Sequence, residues 1–396
     1  MRPVRAVIFD LDGTLLDTES LVLEVAKAVV EQHGYTLTPD AQRAGLGRTP
    51  IDAWNAVVEN LQMKGVTPEQ LFAESEPLLA ARWHEAKLLP GAGRLLWHLH
   101  RHGVPVALAT STSRATLKRK MSGRHADLLN IFHTVNCGDE NERGKPAPDC
   151  FRASAAKLQV DPAECLVIED APSGIAAATA AGMRVVAVPS MVTKGLQQDD
   201  CPPAQEDAGA GCCSTLSSLF DFHPEVYGLP PFDDLVARTV PVSPVWRIRG
   251  TVVKGFGRGS RELRIPTANL DRESLQGVLA EAVTGIYCGW ASVGNDSAVH
   301  KMVMSIGWNP FYNNEEKTAE PWILHDFAED FYGAELRLLV CGYIRPEANF
   351  SSLEVLIARI HEDANISRKA LDESVYAQLQ TDPSLKPVLT SNPAAA

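Results

Sequence analysis

The spacing of apolar positions changes twice along the chain, and each change predicts a different kind of element. From Val4 to about Pro189, short apolar runs alternate with helix-like stretches: Ala6 to Phe9, Val104 to Ala109, Cys165 to Ile168 and Val185 to Val188. Continuous runs of this kind predict strands buried on both faces, and their alternation with helices predicts an α/β doubly wound parallel sheet. Between Asp17 and Leu89 the spacing is helical only, with Leu23, Ala26, Val29 and Val30, then Trp54, Val57, Val58 and Leu61, as candidate apolar stripes. Residues 17–89 therefore predict a helical cap inserted into the sheet domain.

Beyond Pro189 the periodicity is lost. The polar, Pro- and Gly-containing stretches Gln197 to Pro203 and Ala208 to Cys213 predict a flexible insert at about 197–213. The proline-punctuated segment 229–244, with Leu229-Pro230-Pro231 and Pro241-Val242-Ser243-Pro244, predicts the domain junction. From Trp246 the runs are β-branched and separated by Gly-rich turns, with no long helix expected before about Ser351. That pattern predicts a small all-β, Greek-key-like barrel with a C-terminal helix. The expected division is a first domain over 1–228, a linker over 229–244, a barrel over 245–380 and a disordered tail over 381–396.

Length supports two cores, because 396 residues exceed what one usually organises. At 45% hydrophobic and 22% charged residues, with no apolar run long enough to span a bilayer, no membrane partner is expected. A formal net charge of -12 argues against a nucleic-acid partner, which would call for a surplus of Lys and Arg to displace counterions. The eight cysteines show neither CxxC pairs nor zinc-ligand spacing, so reduced thiols and a cytoplasmic location are the expectation. Met1 to Arg5 lead straight into the first apolar run, leaving no room for a signal or transit segment. Nothing in the sequence bears on oligomeric state.

Parallel sheets place ligands beyond the C-terminal ends of their strands, so the polar residues after each apolar run are the candidate chemistry. Asp10-Leu11-Asp12-Gly13-Thr14 follows the first run. Two carboxylates at i and i+2 on a loop leaving a strand can converge on one metal and one phosphorus, although a lone pair would more often be a capping turn. Thr110 and Ser111 open a Thr-Ser-Thr-Ser run after the second, with hydroxyls suited to phosphate oxygens. Lys145 stands in Gly144-Lys145-Pro146-Ala147-Pro148-Asp149, where prolines restrict a loop that offers a point charge to phosphate. Glu169-Asp170 follows Leu166-Val167-Ile168 and supplies the hard oxygens magnesium prefers. Alone, each would be a cap or a solvated side chain.

In this order, on successive strands, the four pieces resemble the haloacid dehalogenase superfamily, in the branch with a helical cap after the first motif. That resemblance implies Asp10 as nucleophile, attacking phosphorus to form an aspartyl-phosphate, and Asp12 as acid/base. It implies magnesium held by Asp10, Asp170 and the backbone carbonyl of Asp12, with Glu169 close by, and phosphate oxygens neutralised by Lys145 and Thr110. The motifs define the chemistry more firmly than the substrate.

In the second half, Gly255-Phe256-Gly257-Arg258-Gly259-Ser260-Arg261 is Gly-rich but has neither a P-loop ending nor a βαβ context. It precedes Ile265-Pro266-Thr267-Ala268-Asn269-Leu270, where Thr267 and Asn269, two apart on an extended segment, face one side as neutral oxygen ligands. Ser305 to Pro310, Glu320-Pro321-Trp322-Ile323-Leu324-His325-Asp326-Phe327, Asp330 to Gly333 and Gly342-Tyr343-Ile344-Arg345-Pro346-Glu347 follow. This succession resembles riboflavin kinase over roughly Val245 to Leu371. The resemblance implies magnesium at Thr267 and Asn269, Glu320 as the base on the ribityl hydroxyl, and a glycine loop (Gly255, Gly257, Arg261) over ATP, with His325 and Arg345 lining the flavin site. Arg261 stands where the family usually has Lys, and Arg264 where it usually has Gly.

The two halves in one chain resemble the bifunctional FMN hydrolase/riboflavin kinases of plants and green algae. Riboflavin, FMN and ATP are the implied small-molecule partners, with magnesium at both sites. Two alternatives stay open: a phosphatase for another small phosphomonoester, such as a sugar phosphate or nucleoside monophosphate, and a catalytically silent half.

Overall fold

The computed structural model describes residues 2–45, 48–188, 213–254, 265–308, 317–348, 350 and 352–387. The chain divides into two compact units, Met1–Pro231 and Phe232–Ala396.

In the first unit the apolar runs become strands β1 (Ala6–Phe9), β4 (Val106–Ala109), β6 (Cys165–Glu169) and β7 (Arg184–Ala187), every residue of which is buried. With β5 (Thr134–Asn136) and β8 (Cys213–Thr215) they form a parallel sheet in the order β5-β4-β1-β6-β7-β8. Central strands buried on both faces are what a doubly wound sheet requires. The two edge strands, of three residues each, are too short to stand out in the sequence pattern.

The cap consists of α1 (Thr18–Gln32), α2 (Pro39–Gly45), α3 (Pro50–Asn60) and α4 (Pro68–Arg82). It hangs from a two-stranded hinge, β2 (Leu16–Asp17) against β3 (Lys87–Leu88), which the helical spacing of this segment did not indicate. Asp17, Thr49 and Thr67 cap α1, α3 and α4 by accepting backbone N–H bonds, and proline opens α3 and α4. On α1 the expected Val29 and Val30 are buried, Leu23 and Ala26 are half-buried, and Leu21 and Val25 extend the buried stripe. Leu21, Val25, Val29 and Val30 pack with Trp54, Val57, Leu71 and Leu79.

The second unit is an antiparallel sheet of β9 (Val240–Val253), β10 (Asn269–Leu270), β11 (Gly285–Val293), β12 (His300–Trp308), β13 (Lys317–Ile323) and β14 (Glu335–Arg345). Its order, β10-β9-β14-β11-β12-β13, places the late strand β14 beside β11 after two hairpins, a Greek key. The Ala268 amide donates to the Pro321 carbonyl at 2.8 Å, linking the β10 side to β13 and nearly closing the barrel. The helix Leu353–Asp372 packs Ala370 and Leu371 against Cys288, Trp290, Leu339 and Cys341.

Three features differ from expectation. A ten-residue helix, Arg272–Glu281, capped by Asp271, interrupts the strands where no long helix was expected, because its apolar positions are too few to stand out. Strand β9 begins at Val240, so the last five residues of the proline-rich segment are strand rather than linker. The chain also stays packed past residue 380: Leu385 is buried, its carbonyl accepts from the Ser292 hydroxyl, and Asp382 pairs with Arg247. The expected insert lies outside the described residues up to Cys212, as does the tail from residue 388. Among the described residues no helix is long and apolar enough to cross a membrane.

Each unit has its own core. Expressed separately, fragments 1–231 and 232–396 should each be soluble and unfold in a single cooperative transition. Loss of cooperative melting in either fragment would contradict independent folding.

Candidate active sites

In the first unit the site gathers at the C-terminal ends of β1, β4 and β6. The Asp10 amide donates to the Ile168 carbonyl at 3.0 Å, which holds the loop after β1 against β6. Gly13 turns that loop at φ +82, and a Cβ there would overlap the Asp170 carboxylate, so glycine is needed for both reasons. Gly174 has a similar task, since a Cβ would occupy the place of the Glu169 carboxylate.

Asp10, Glu169 and Asp170 are buried, and each offers an oxygen within 4.8 Å of the others. Lys145 lies between two of them, its Nζ donating to Asp10 Oδ1 at 2.5 Å and to Glu169 Oε1 at 2.7 Å. Glu169 Oε2 accepts the amides of Asp170 and Ala171, both at 2.7 Å. Both Glu169 oxygens are thus engaged, and it serves as a rigid seat for Lys145. The Thr14 hydroxyl donates to Asp170 Oδ1 at 2.8 Å.

Electrostatics show the consequence of packing three carboxylates around one lysine. Burial raises Asp10 to about 7 against the pull of Lys145, with Glu169 and Asp12 adding to the rise. Burial, Asp10 and Glu169 raise Asp170 to about 9. Burial alone would lower Lys145, but Asp10 and Glu169 outweigh it and hold the ammonium charged. A cluster of hard oxygens short of positive charge fits a divalent cation such as magnesium.

Asp12 stands apart from that cluster. Burial works against its charge, yet Lys120, then Thr112 and Thr18, hold the carboxyl below its ordinary value. Lys120 Nζ donates to Asp12 Oδ1 at 2.6 Å, and the Thr112 hydroxyl donates to Asp12 Oδ2 at 2.6 Å. Thr110 is buried and its hydroxyl accepts the Thr112 amide at 3.0 Å, while Ser111 is exposed. Of the sequence candidates, Asp10, Lys145, Glu169 and Asp170 come together directly, with Asp12 and Thr110 on the adjoining loops.

Thr14, Thr112 and Lys120 were not singled out from the sequence. Lys120 carried a signal: in the helix α6 (Arg114–Lys120) it lies three residues after buried Leu117 and beside buried Met121, a lysine on an apolar face.

In the second unit, β13 carries Glu320 opposite Ser305 of β12. The Ala268–Pro321 bond holds Thr267 and Asn269 beside this strand, and both are half-buried. Neutral oxygens on an extended segment next to a carboxylate are a donor set that magnesium accepts. Glu320 is open to solvent, but partial desolvation still raises its carboxyl above the ordinary value. Among the described residues it has no ion-pair partner, which leaves it free to accept a proton.

His325 is exposed and stacks on His300, with ring centroids 4.1 Å apart, and meets Phe327 edge-on. Arg345 is engaged elsewhere: its guanidinium donates to both oxygens of buried Asp363, at 3.0 Å from Nε and 2.6 Å from Nη2. Its charge therefore ties β14 to the C-terminal helix. Gly255, Gly257, Arg261 and Arg264 lie outside the described residues.

Residues 7–188 match the haloacid dehalogenase-like hydrolase family, and residues 243–371 match riboflavin kinase. The chain is 46% identical over 379 residues to a bifunctional riboflavin kinase/FMN phosphatase of Arabidopsis thaliana, covering 96% of each. It is 52% identical over 134 residues to a riboflavin kinase of Mus musculus, covering 34% of this chain and 86% of that one. It is also 38% identical over 237 residues to a (DL)-glycerol-3-phosphatase of Arabidopsis thaliana, covering 58% of this chain and 76% of that one.

The raised carboxyls have a measurable consequence. A carboxyl whose pKa rises on folding stabilises the fold below its unfolded value and loses that contribution as pH climbs through the folded value. For Asp10 and Asp170 the loss runs from about pH 4 to about pH 9. In metal-free protein the first unit should melt at lower temperature at pH 8.5 than at pH 6, and magnesium should restore more at pH 8.5. A magnesium-induced rise in Tm that is the same at both pH values would count against this.

Proposed function

The chain belongs to the family of bifunctional riboflavin kinase/FMN phosphatases, and from that premise we propose that its two units act in opposite directions on the same phosphate ester. The first hydrolyses FMN to riboflavin and phosphate. The second transfers the γ-phosphoryl group of ATP to riboflavin. The observation that carries this reading is the likeness to one bifunctional relative over nearly the full length of both chains.

For hydrolysis, an Asp10 oxygen attacks phosphorus in line as the bond to the ribityl oxygen breaks. Asp12 enters this step protonated, against the pull of Lys120, and gives its proton to that oxygen, releasing riboflavin. The Asp12 carboxylate then takes a proton from water, whose oxygen attacks phosphorus and breaks the bond to Asp10, releasing inorganic phosphate. Lys145 neutralises charge on the phosphoryl oxygens, and Thr110 and Ser111 also bind them. Asp10, Asp170 and the backbone carbonyl of Asp12 are the ligands for magnesium, with Glu169 bracing the cluster. When bound, the cation offsets the like charges of nucleophile and phosphate.

For phosphorylation, Glu320 accepts the proton of the ribityl hydroxyl as that oxygen attacks the γ-phosphorus and ADP leaves. Thr267 and Asn269 are the magnesium ligands, and Gly255, Gly257 and Arg261 are the ATP-binding residues. Positioning and charge neutralisation are most of what phosphoryl transfer requires. His325 lines the flavin site, and Arg345, its guanidinium held by Asp363, braces β14 against the C-terminal helix. The five described cysteines that are free and buried, Cys137, Cys150, Cys165, Cys288 and Cys341, suit a reducing, cytoplasmic setting.

A second reading of the phosphatase has one specific support, the 38% identity to the glycerol-3-phosphatase. Phosphate release from FMN, glycerol 3-phosphate, sugar phosphates and nucleoside monophosphates, compared by kcat/KM with magnesium, decides between them. FMN should lead the panel, and glycerol 3-phosphate turning over faster would favour the second reading. In the same assays Asp10→Asn should abolish phosphate release and leave riboflavin phosphorylation unchanged. Glu320→Gln should lower the kinase rate at least about 100-fold and spare the phosphatase. Loss of both activities in either variant would contradict two separate sites.

A further inference from the structure

Lys120 has no part in the chemistry above, yet it is among the most enclosed charges in the first unit, its side chain only 6% exposed. A lysine is buried at a cost that only close partners offset. Its Nζ has three: Asp12 Oδ1 at 2.6 Å, the Thr112 hydroxyl at 3.0 Å, and the face of Trp83, 4.4 Å from the ring centroid. Thr112 in turn donates to the other Asp12 oxygen, so lysine, threonine and aspartate close a ring that fixes both carboxylate oxygens. Trp83 packs against the core of the cap, immediately after α4 and before the hinge strand β3. The ring therefore stands where the cap meets the sheet domain.

We propose that Lys120 is a positioning residue for Asp12. Seated on Trp83, it fixes where the Asp12 carboxylate stands when it gives a proton to the leaving oxygen and takes one from water. Lys120 acts through Asp12, and Trp83 makes the base of the cap part of the arrangement. This inference rests on the reading of Asp12 as the acid/base.

The test is a double-mutant cycle in the full-length chain, with Lys120→Met, Asp12→Asn and the double variant assayed on FMN. Lys120→Met keeps the length and the Trp83 contact and loses the donor. It should lower kcat about 100-fold with KM changed by less than about threefold, and Lys120→Arg should recover part of the loss. The double variant should be no slower than Asp12→Asn alone, because the lysine has no further target. Trp83→Leu, which leaves the lysine in place, should give a smaller kcat loss without a KM change, and it keeps the idea testable if Lys120→Met fails to fold. A further loss on adding Lys120→Met to Asp12→Asn, or equal losses in kcat and affinity, would make Lys120 a structural ion pair and overturn the proposal. An Asp12→Asn variant with undiminished activity would instead overturn the acid/base reading beneath it.

Discussion

The first unit is organised around one electrostatic constraint: Asp10, Glu169 and Asp170 must stay together in a buried site meant for an anionic ester, with Lys145 as the cation shared by Asp10 and Glu169. Carboxylates so placed repel one another and resist burial, and the rises at Asp10 and Asp170 express this. The surrounding structure follows from it. Parallel strands bring the three groups to one edge, and Gly13 and Gly174 give up side chains so that the carboxylates can approach the backbone. Two backbone amides hold Glu169 so that it can hold Lys145. Asp12 is kept out of this crowd on its own lysine.

The second unit handles the same phosphoryl group with far less charge. Thr267 and Asn269 are neutral, and Glu320 is a single carboxylate at the rim of a barrel nearly closed by the Ala268–Pro321 bond. A kinase receives phosphate already neutralised in part by its nucleotide-bound cation, so it has less need of a preformed cluster of carboxylates. The two sites thus differ in their donor sets: one gathers buried carboxylates, the other sets neutral oxygens beside a single carboxylate.

What was legible in the sequence follows from directional signals. Apolar runs long enough to be buried on both faces read as strands, and the polar residues after them read as a site, which is why Asp10, Lys145 and Asp170 were found together. Weak or distributed signals were missed. The strands β5 and β8 are too short for a pattern. The Arg272–Glu281 helix has too few apolar positions to stand out from its surroundings. Lys120 shows in the sequence only as a lysine on an apolar helix face, and its contacts with residues 12, 83 and 112 are brought together by the fold. Arg345 was expected at the flavin, and its guanidinium is committed to Asp363, a partner eighteen residues away that no local motif names.

If both sites act on flavin in one chain, they form a cycle that consumes ATP. Full-length protein supplied with riboflavin, excess ATP and magnesium should carry FMN to a steady level below complete conversion, while ADP and inorganic phosphate continue to accumulate at equal rates. ADP production that stops once riboflavin is converted would contradict an FMN-directed phosphatase joined to a riboflavin kinase.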